Sequence, residues 1–190
     1  MTDDDASKVT DSRVLAAMSH PLRRRLLDVL KVYGPATASA LAGRTDQAVA
    51  NISHHLKVLG AAGLIVEAPE LAKDRRERWW RLAEPELRWV TGDFDDDPAR
   101  QAVAGAAASL ALDRQVGLVR AWHAVREERQ DWNGAAFSVD TWLHLTPAEL
   151  GEFERELLAL LGRWEERAVP DDGRQREPVF FFAHGVPAQP

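Results

Sequence analysis

Three helical signatures in close succession, each ended by glycine or a polar break and followed by two short alternating runs, constrain this chain more than its composition does. In "SHPLRRRLLDVLKVYGP", residues 19–35, Ser19 is the expected cap and Pro21 sits at a tolerated first-turn position. Leu22, Leu26, Val29 and Leu30 fall on one stripe, and Gly34-Pro35 stops the helix. "TASALAGRT", residues 37–45, reads as a short helix capped by Thr37 with Leu41 facing inward. A third helix is expected to start at Thr45 and to end at Gly63 in a left-handed conformation. "LIVEA" and "RWWRL", joined by the charged loop "PELAKDRRE", then read as a hairpin.

The third helix carries two different faces. With successive residues turning by about 100°, Val49, Ile52, Leu56 and Leu59 form an apolar stripe toward the body of the domain. Gln47, Asn51, His54 and Lys57 point away from it, with small Ala50 between them allowing close approach. His55 borders the apolar stripe and is read as structural. A helix that offers donors and acceptors outward, preceded by a short helix and followed by a basic hairpin, suits reading of the DNA major groove.

The net charge of −6 would argue against a nucleic-acid partner if it were evenly spread. It is not. Residues 13–82 hold 12 Lys+Arg against 6 Asp+Glu, whereas residues 83–190 hold 11 against 20. A basic module is thus joined to an acidic one, although charge clusters can equally be solvated faces. The absence of cysteine excludes disulfides, thiolate metal sites and cysteine nucleophiles. Three aspartates directly after Met-Thr are unlike a secretory signal, and no apolar run is read as approaching the ~20 residues of a membrane span. A cytoplasmic protein with no membrane partner is expected.

"MSHPLRRRLLDVL", "ISHHLKVLGAAGLI" and "DRRERWWRL" resemble the second helix, recognition helix and wing of the ArsR family of winged helix-turn-helix transcriptional regulators. The resemblance covers residues 13–82. It implies a homodimer on a palindromic operator, acting more often as repressor than activator. The family's DNA-contact positions carry over to Gln47, Asn51, Ser53 and His54, with Arg75, Arg76 and Arg78 in or beside the wing; Lys57 joins them as a phosphate contact. Two departures stand out. The cysteine pair of the family's metal sensors is absent, the corresponding region reading "TASALAG", and the chain continues for about a hundred residues beyond the wing. Any inducing signal is therefore not thiolate-bound metal, which leaves room for a small-molecule effector of unassigned class.

The acidic half begins with a polar joint, residues 83–97, after which Asp97-Pro98 is an expected start for a helix running to about Asp131. Its small-residue stretch "AVAGAAASLAL" suits close helix packing; dimerisation is its natural use, and packing within its own subunit is the alternative. "AAFSVDTWLHLT" alternates with period two and reads as a strand. Thr146, Pro147 and Glu149 then form a capping box for a helix whose stripe is Leu150, Phe153, Leu157, Leu160, Leu161 and Trp164. "PVFFFAHG" reads as a second strand paired with the first.

The fold class expected is mainly α with α+β character: a flexible acidic tail (1–12), a winged helix-turn-helix domain (13–82), a linker (83–97), then a dimerisation helix and small α+β C-terminal domain (98–190). Asp140, His144 and His184 lack the spacing of a metal site, and the C-terminal aromatic residues could line an apolar pocket or simply fill a core. No cofactor and no metal are expected. Neither a G-x-S-x-G elbow, a phosphate-binding glycine loop nor an H-E-x-x-H pair is present, so an enzyme is not expected. The reading is a dimeric, sequence-specific regulator of transcription bound to double-stranded DNA. Its competitor is a protein-interaction module on the same fold, which would carry apolar or aromatic anchors on the outward helix face.

Overall fold

The computed structural model describes residues 12–74, 77–83 and 98–189. The expected acidic tail, the linker and the Asp97 cap fall almost wholly outside these residues. The chain divides into two compact units, one reaching Gly117 and the other starting at Leu118. The first unit holds helices α1 (Ser12–Met18) and α2 (Pro21–Tyr33), strand β1 (Ala36–Thr37), helices α3 (Ala38–Thr45) and α4 (Val49–Ala61), strands β2 (Ile65–Glu67) and β3 (Trp79–Leu82), and the first part of α5 (Pro98–Val125).

The wing is an antiparallel sheet of order β1-β3-β2. In the expected hairpin, Ile65 pairs with Leu82 and Glu67 with Trp80. On the other edge of β3, Ala36 pairs with Trp80 and Thr37 with Trp79. Strand β1 is only two residues long, too short for any alternation to announce it. It ties the start of α3 to the wing.

Several helix ends differ from expectation. The α2 cap is His20, whose Nδ1 accepts from the backbone N–H of Leu22 at 3.2 Å. Ser19 instead closes α1, its Oγ donating to the Leu15 carbonyl at 2.8 Å. Thr45 does not open the third helix; it is the last residue of α3, fully buried, and donates to the Leu41 carbonyl at 2.7 Å. Burial of an uncharged hydroxyl is tolerated because a carbonyl one turn back accepts its hydrogen bond. Thr37 caps α3 as expected, accepting from Ala40 at 3.2 Å. Gly63, with φ of 72°, follows α4 in the left-handed region.

The core of this unit joins Leu26 and Leu30 of α2, Leu41 of α3, and Ile52, Leu56 and Leu59 of α4. Val49, expected in the same stripe, is 45% exposed, because the first turn of α4 projects beyond the body that covers the rest. Ala104 and Ala107 of α5 complete the core, so the small-residue stretch packs against the winged helix of its own chain. The compact units therefore meet within α5 and not in the joint at 83–97. Arg114 reinforces this packing through an ion pair with Asp28 of α2 at 2.5 Å. Residues 101–125 are long and apolar enough to cross a membrane by length and composition, which corrects the expectation that no run comes close. Their buried alanines and the Arg114–Asp28 pair give this segment a protein-facing side.

In the second unit α5 ends at Val125, short of Asp131. Glu128 and Arg129 donate to the carbonyls three residues back, Val125 and Arg126, which tightens and closes the helix before the single turn α6 (Gln130–Asn133). Helix α7 (Pro147–Glu165) starts on the expected capping box, Thr146 donating its N–H to Glu149 at 2.7 Å and accepting that residue's N–H at 3.3 Å. Its expected stripe is not buried: Leu150, Leu157 and Leu161 are half-buried, and Phe153, Leu160 and Trp164 are exposed. The two expected C-terminal strands are also corrected, since neither 136–146 nor 178–184 belongs to a strand. Local alternation is nevertheless present, with the rings of Phe180, Phe182 and His184 following one another at 5.8 Å. Side-chain alternation by itself does not make a sheet, which needs backbone pairing between strands.

Replacing Ile52 with alanine is expected to lower the unfolding free energy by about 2–5 kcal/mol, as for a filled core site. Val49→Ala should change it by less than about 0.5 kcal/mol. Urea denaturation of both variants checks the division of α4 into a buried and an open face.

Candidate nucleic-acid interface

The turn before α4 is held from beneath. Asp46 adopts the left-handed region at φ 55°, ψ 51°, a conformation that Asp tolerates better than most residues. Arg25 reaches across from α2 and donates to the Thr45 carbonyl at 3.2 Å and the Arg44 carbonyl at 3.5 Å. A cation at a helix C-terminus satisfies carbonyls that the helix itself leaves open. The Arg44 guanidinium lies 4.0 Å from the Tyr33 ring centroid, a second tie between α2 and the turn. Neither clamp was legible in advance. Arg25 stands in a run of three arginines, and nothing in that run distinguishes the one that turns inward.

From this turn α4 projects its polar face. Asn51 Nδ2 donates to Gln47 Oε1 at 3.0 Å, and Gln47 Nε2 donates to the Asp46 carbonyl at 2.8 Å, so the two amides form one pre-ordered unit. His54 and Lys57 are exposed beyond them and Ser53 is half-buried. The N-cap residue Ala48 supplies no side-chain hydrogen bond to the first turn. Ser53 and Lys57 also line an open groove of about 940 Å³, shared with Thr37 and with Arg78 and Trp80 of the wing side.

The wing reaches this groove because Gly60 lets it. A Cβ added there would stand 3.2 Å from the Trp80 ring, tighter than ordinary contact. Arg78 is exposed and pairs with Glu67 at 3.6 Å, and Arg81 with Glu70 at 3.9 Å. Glu77, which was not singled out in the sequence, braces the wing by accepting from the Lys73 N–H at 3.0 Å and from Trp79 Nε1 at 3.3 Å. Arg75 and Arg76 lie outside the described residues. Gln47, Asn51, Ser53, His54 and Lys57 are thus brought together on and just before α4, with Arg78 across the groove.

Behind this face sits a histidine pair. His55 is buried, its ring centroid 4.6 Å from that of His20 and 5.4 Å from that of His54. Its Nδ1 has no hydrogen-bond partner. Burial first, then the fields of His20, Arg23 and His54, hold its pKa below the ordinary histidine value. His20 is lowered in the same direction by burial and by Arg23. The His20 cap itself needs a bare Nδ1 to accept from Leu22, which a proton would remove.

Residues 18–68, from the end of α1 through β2, match the family described as a helix-turn-helix domain. The chain carries a winged helix-turn-helix domain. Among solved structures, one described as a possible transcriptional regulator for arsenical resistance is 31% identical, over 55% of this chain and 93% of that one, with a TM-score of 0.32. A transcriptional regulator from Thermotoga maritima is 14% identical, over 78% of this chain and 80% of that one, also at 0.32. No curated protein matches this chain. Among the described residues, no group of three or more His, Cys, Asp or Glu side chains could hold a metal ion.

Lowered histidine pKa values fix the sign of a pH effect. The unfolded chain takes up protons near the ordinary value of 6.5, before folded His20 and His55 do. Stability is therefore full above pH 6.5 and is lost as pH falls from there toward the folded values. Urea midpoints measured across this range should decline on the acid side, and His55→Leu should decline less steeply. Equal slopes in both proteins would remove His55 from the account.

Proposed function

We propose that the protein is a cytoplasmic, homodimeric, sequence-specific regulator of transcription of the ArsR type, acting as a repressor on a palindromic operator. The observation that carries this is the outward face of α4. Gln47 and Asn51 are already linked, His54 and Lys57 project beside them, and the opposite face is buried through Ile52, Leu56 and Leu59. An amide pair on an exposed helix matches the donor and acceptor pattern of adenine, and a lysine at its side matches a phosphate. In this reading Gln47, Asn51, Ser53 and His54 face base edges, Lys57 meets the backbone, and Arg75, Arg76 and Arg78 follow the neighbouring phosphates or minor groove.

Two-fold symmetry follows from the size of the site. One recognition helix spans only a few base pairs, and two must lie about 34–36 Å apart to use successive major grooves. With no cysteine available, regulation does not run through thiolate-bound metal. The competing reading, a protein-docking module, wants an aromatic or long apolar anchor among the exposed positions of α4, and these are instead polar apart from Val49 and alanines.

Sequencing DNA that co-purifies with the protein supplies the operator, and fluorescence anisotropy then separates the roles. Asn51→Ala and His54→Ala should each weaken operator binding by about 1–3 kcal/mol and leave random DNA nearly unaffected. Lys57→Ala should weaken both and reduce the slope of log affinity against log salt by about 0.9. Uniform losses from the α4 polar face would place it on phosphates, and no enrichment of any DNA sequence would sink the regulator reading. Light scattering should give twice the 21.1 kDa chain mass.

A further inference from the structure

The polar edge that opens α4 has a direction set by the backbone before it. Asp46 and Gln47 both donate their N–H to the carbonyl of buried Ala42, the Gln47 bond measuring 3.1 Å. A trans peptide unit points its C=O opposite to its N–H. With the Gln47 N–H turned inward, the Asp46 carbonyl of the same unit is aimed outward. Arg25 holds the other side of this turn through the Thr45 and Arg44 carbonyls.

A carbonyl oxygen can only accept. The Asp46 carbonyl therefore takes the Nε2 end of the Gln47 side chain, at 2.8 Å, and leaves the Oε1 end toward Asn51. Oε1 likewise only accepts, so Asn51 presents Nδ2 to it, at 3.0 Å. Turning either amide over would set oxygen against oxygen or N–H against N–H, leaving both groups without their bond. Polarity thus passes outward from a fixed backbone group. Asn51 is the end of the chain: among the described residues no group of the protein bonds its Oδ1, and Gln47 takes only one of its two Nδ2 hydrogens.

We propose that Asn51 is the base reader of this pair and Gln47 its positioning residue: the Asp46 carbonyl, acting through Gln47, holds the Asn51 amide one way round so that its open edge selects adenine. In that orientation Oδ1 accepts from the adenine N6 amino group and Nδ2 donates to N7. The reversed amide would meet N7 with an oxygen and the amino group with an N–H, two clashes in place of two bonds. Fixing the orientation beforehand also lowers the ordering cost of binding. The inference rests on the DNA reading proposed above and divides the labour within its amide pair.

Two measurements on the full chain separate the relay from the reading. In nitrogen–proton correlation spectra of the free protein, the Asn51 side-chain amide is identified by its loss in Asn51→Ala. Gln47→Met, of similar length but without the oxygen, should move the bonded proton upfield, whereas Gln47→Glu, which keeps an acceptor, should hold it downfield. An unmoved proton in Gln47→Met would overturn the relay. Anisotropy is then measured on operator duplexes substituted at each base pair in turn. Asn51→Ala should remove a preference of about 5- to 150-fold for adenine at one pair. Gln47→Met should reduce that same preference and no other, and the double variant should bind no more weakly than Asn51→Ala alone. Gln47→Glu should weaken all duplexes alike through phosphate repulsion and keep the preference. A second pair losing its preference in Gln47→Met, or losses that multiply in the double variant, would make Gln47 a reader in its own right and overturn the proposal. Selection of a base other than adenine at the Asn51 pair would overturn it too. A parent protein with no preference among duplexes would sink the regulator reading and the adenine assignment with it, a failure told apart from failure of the relay by the free-protein spectrum.

Discussion

Burial of one stripe of α4 organises the winged helix. Ile52, Leu56 and Leu59 are almost wholly excluded from water and meet Leu26, Leu30 and Leu41 of the helices around them. Burying three large aliphatic side chains contributes on the order of 5–9 kcal/mol before entropy is counted. That is comparable with the net stability of a whole domain, so rotation of α4 about its axis is strongly opposed. The consequence for function is geometric: a helix that cannot rotate must hold its opposite face outward. Gln47, Asn51, His54 and Lys57 owe their direction to the apolar residues behind them.

Around that stripe, polar contacts adjust position more than they add stability. Arg25 pins the end of α3, the Gly60–Trp80 contact sets how near the wing comes to α4, and the Arg114–Asp28 pair locates α5 against α2. The last of these is half-buried, and burial of Asp28 pushes its pKa up against the opposing pull of Arg114. The pair is therefore better regarded as a register mark than as a large source of free energy. His20 and His55 belong to the same layer. In tilted contact beneath the outward face, they couple the cap of α2 to the back of α4, and burial lowers the pKa of both.

The two units show opposite balances of pattern and packing. In the first, periodicity and burial agree except at Val49, whose place in the first turn of α4 puts it past the edge of the covering helices. In the second, α7 has its capping box and its apolar stripe, and the flanking segments have their alternation, but among the described residues the stripe is at most half-buried. Pattern states which side of an element wants cover. It does not say whether the cover comes from the same chain.

Much of the candidate site was legible from residues alone, because a 3.6-residue period separates the faces of α4 whatever the helix packs against. The polar identity of positions 47, 51, 54 and 57, the Thr37 and Thr146 caps and the left-handed Gly63 are local properties of the same kind, written within a few residues of chain. The His20–His55 contact, the inward turn of Arg25, the pairing of β1 with β3, and the docking of the α5 alanines join positions from about 20 to about 80 residues apart. Such contacts depend on how several elements close on one another. A cap or a stripe is chosen by neighbours one or two turns away, whereas a long-range contact exists only once the whole chain has been placed, and no local period encodes that placement.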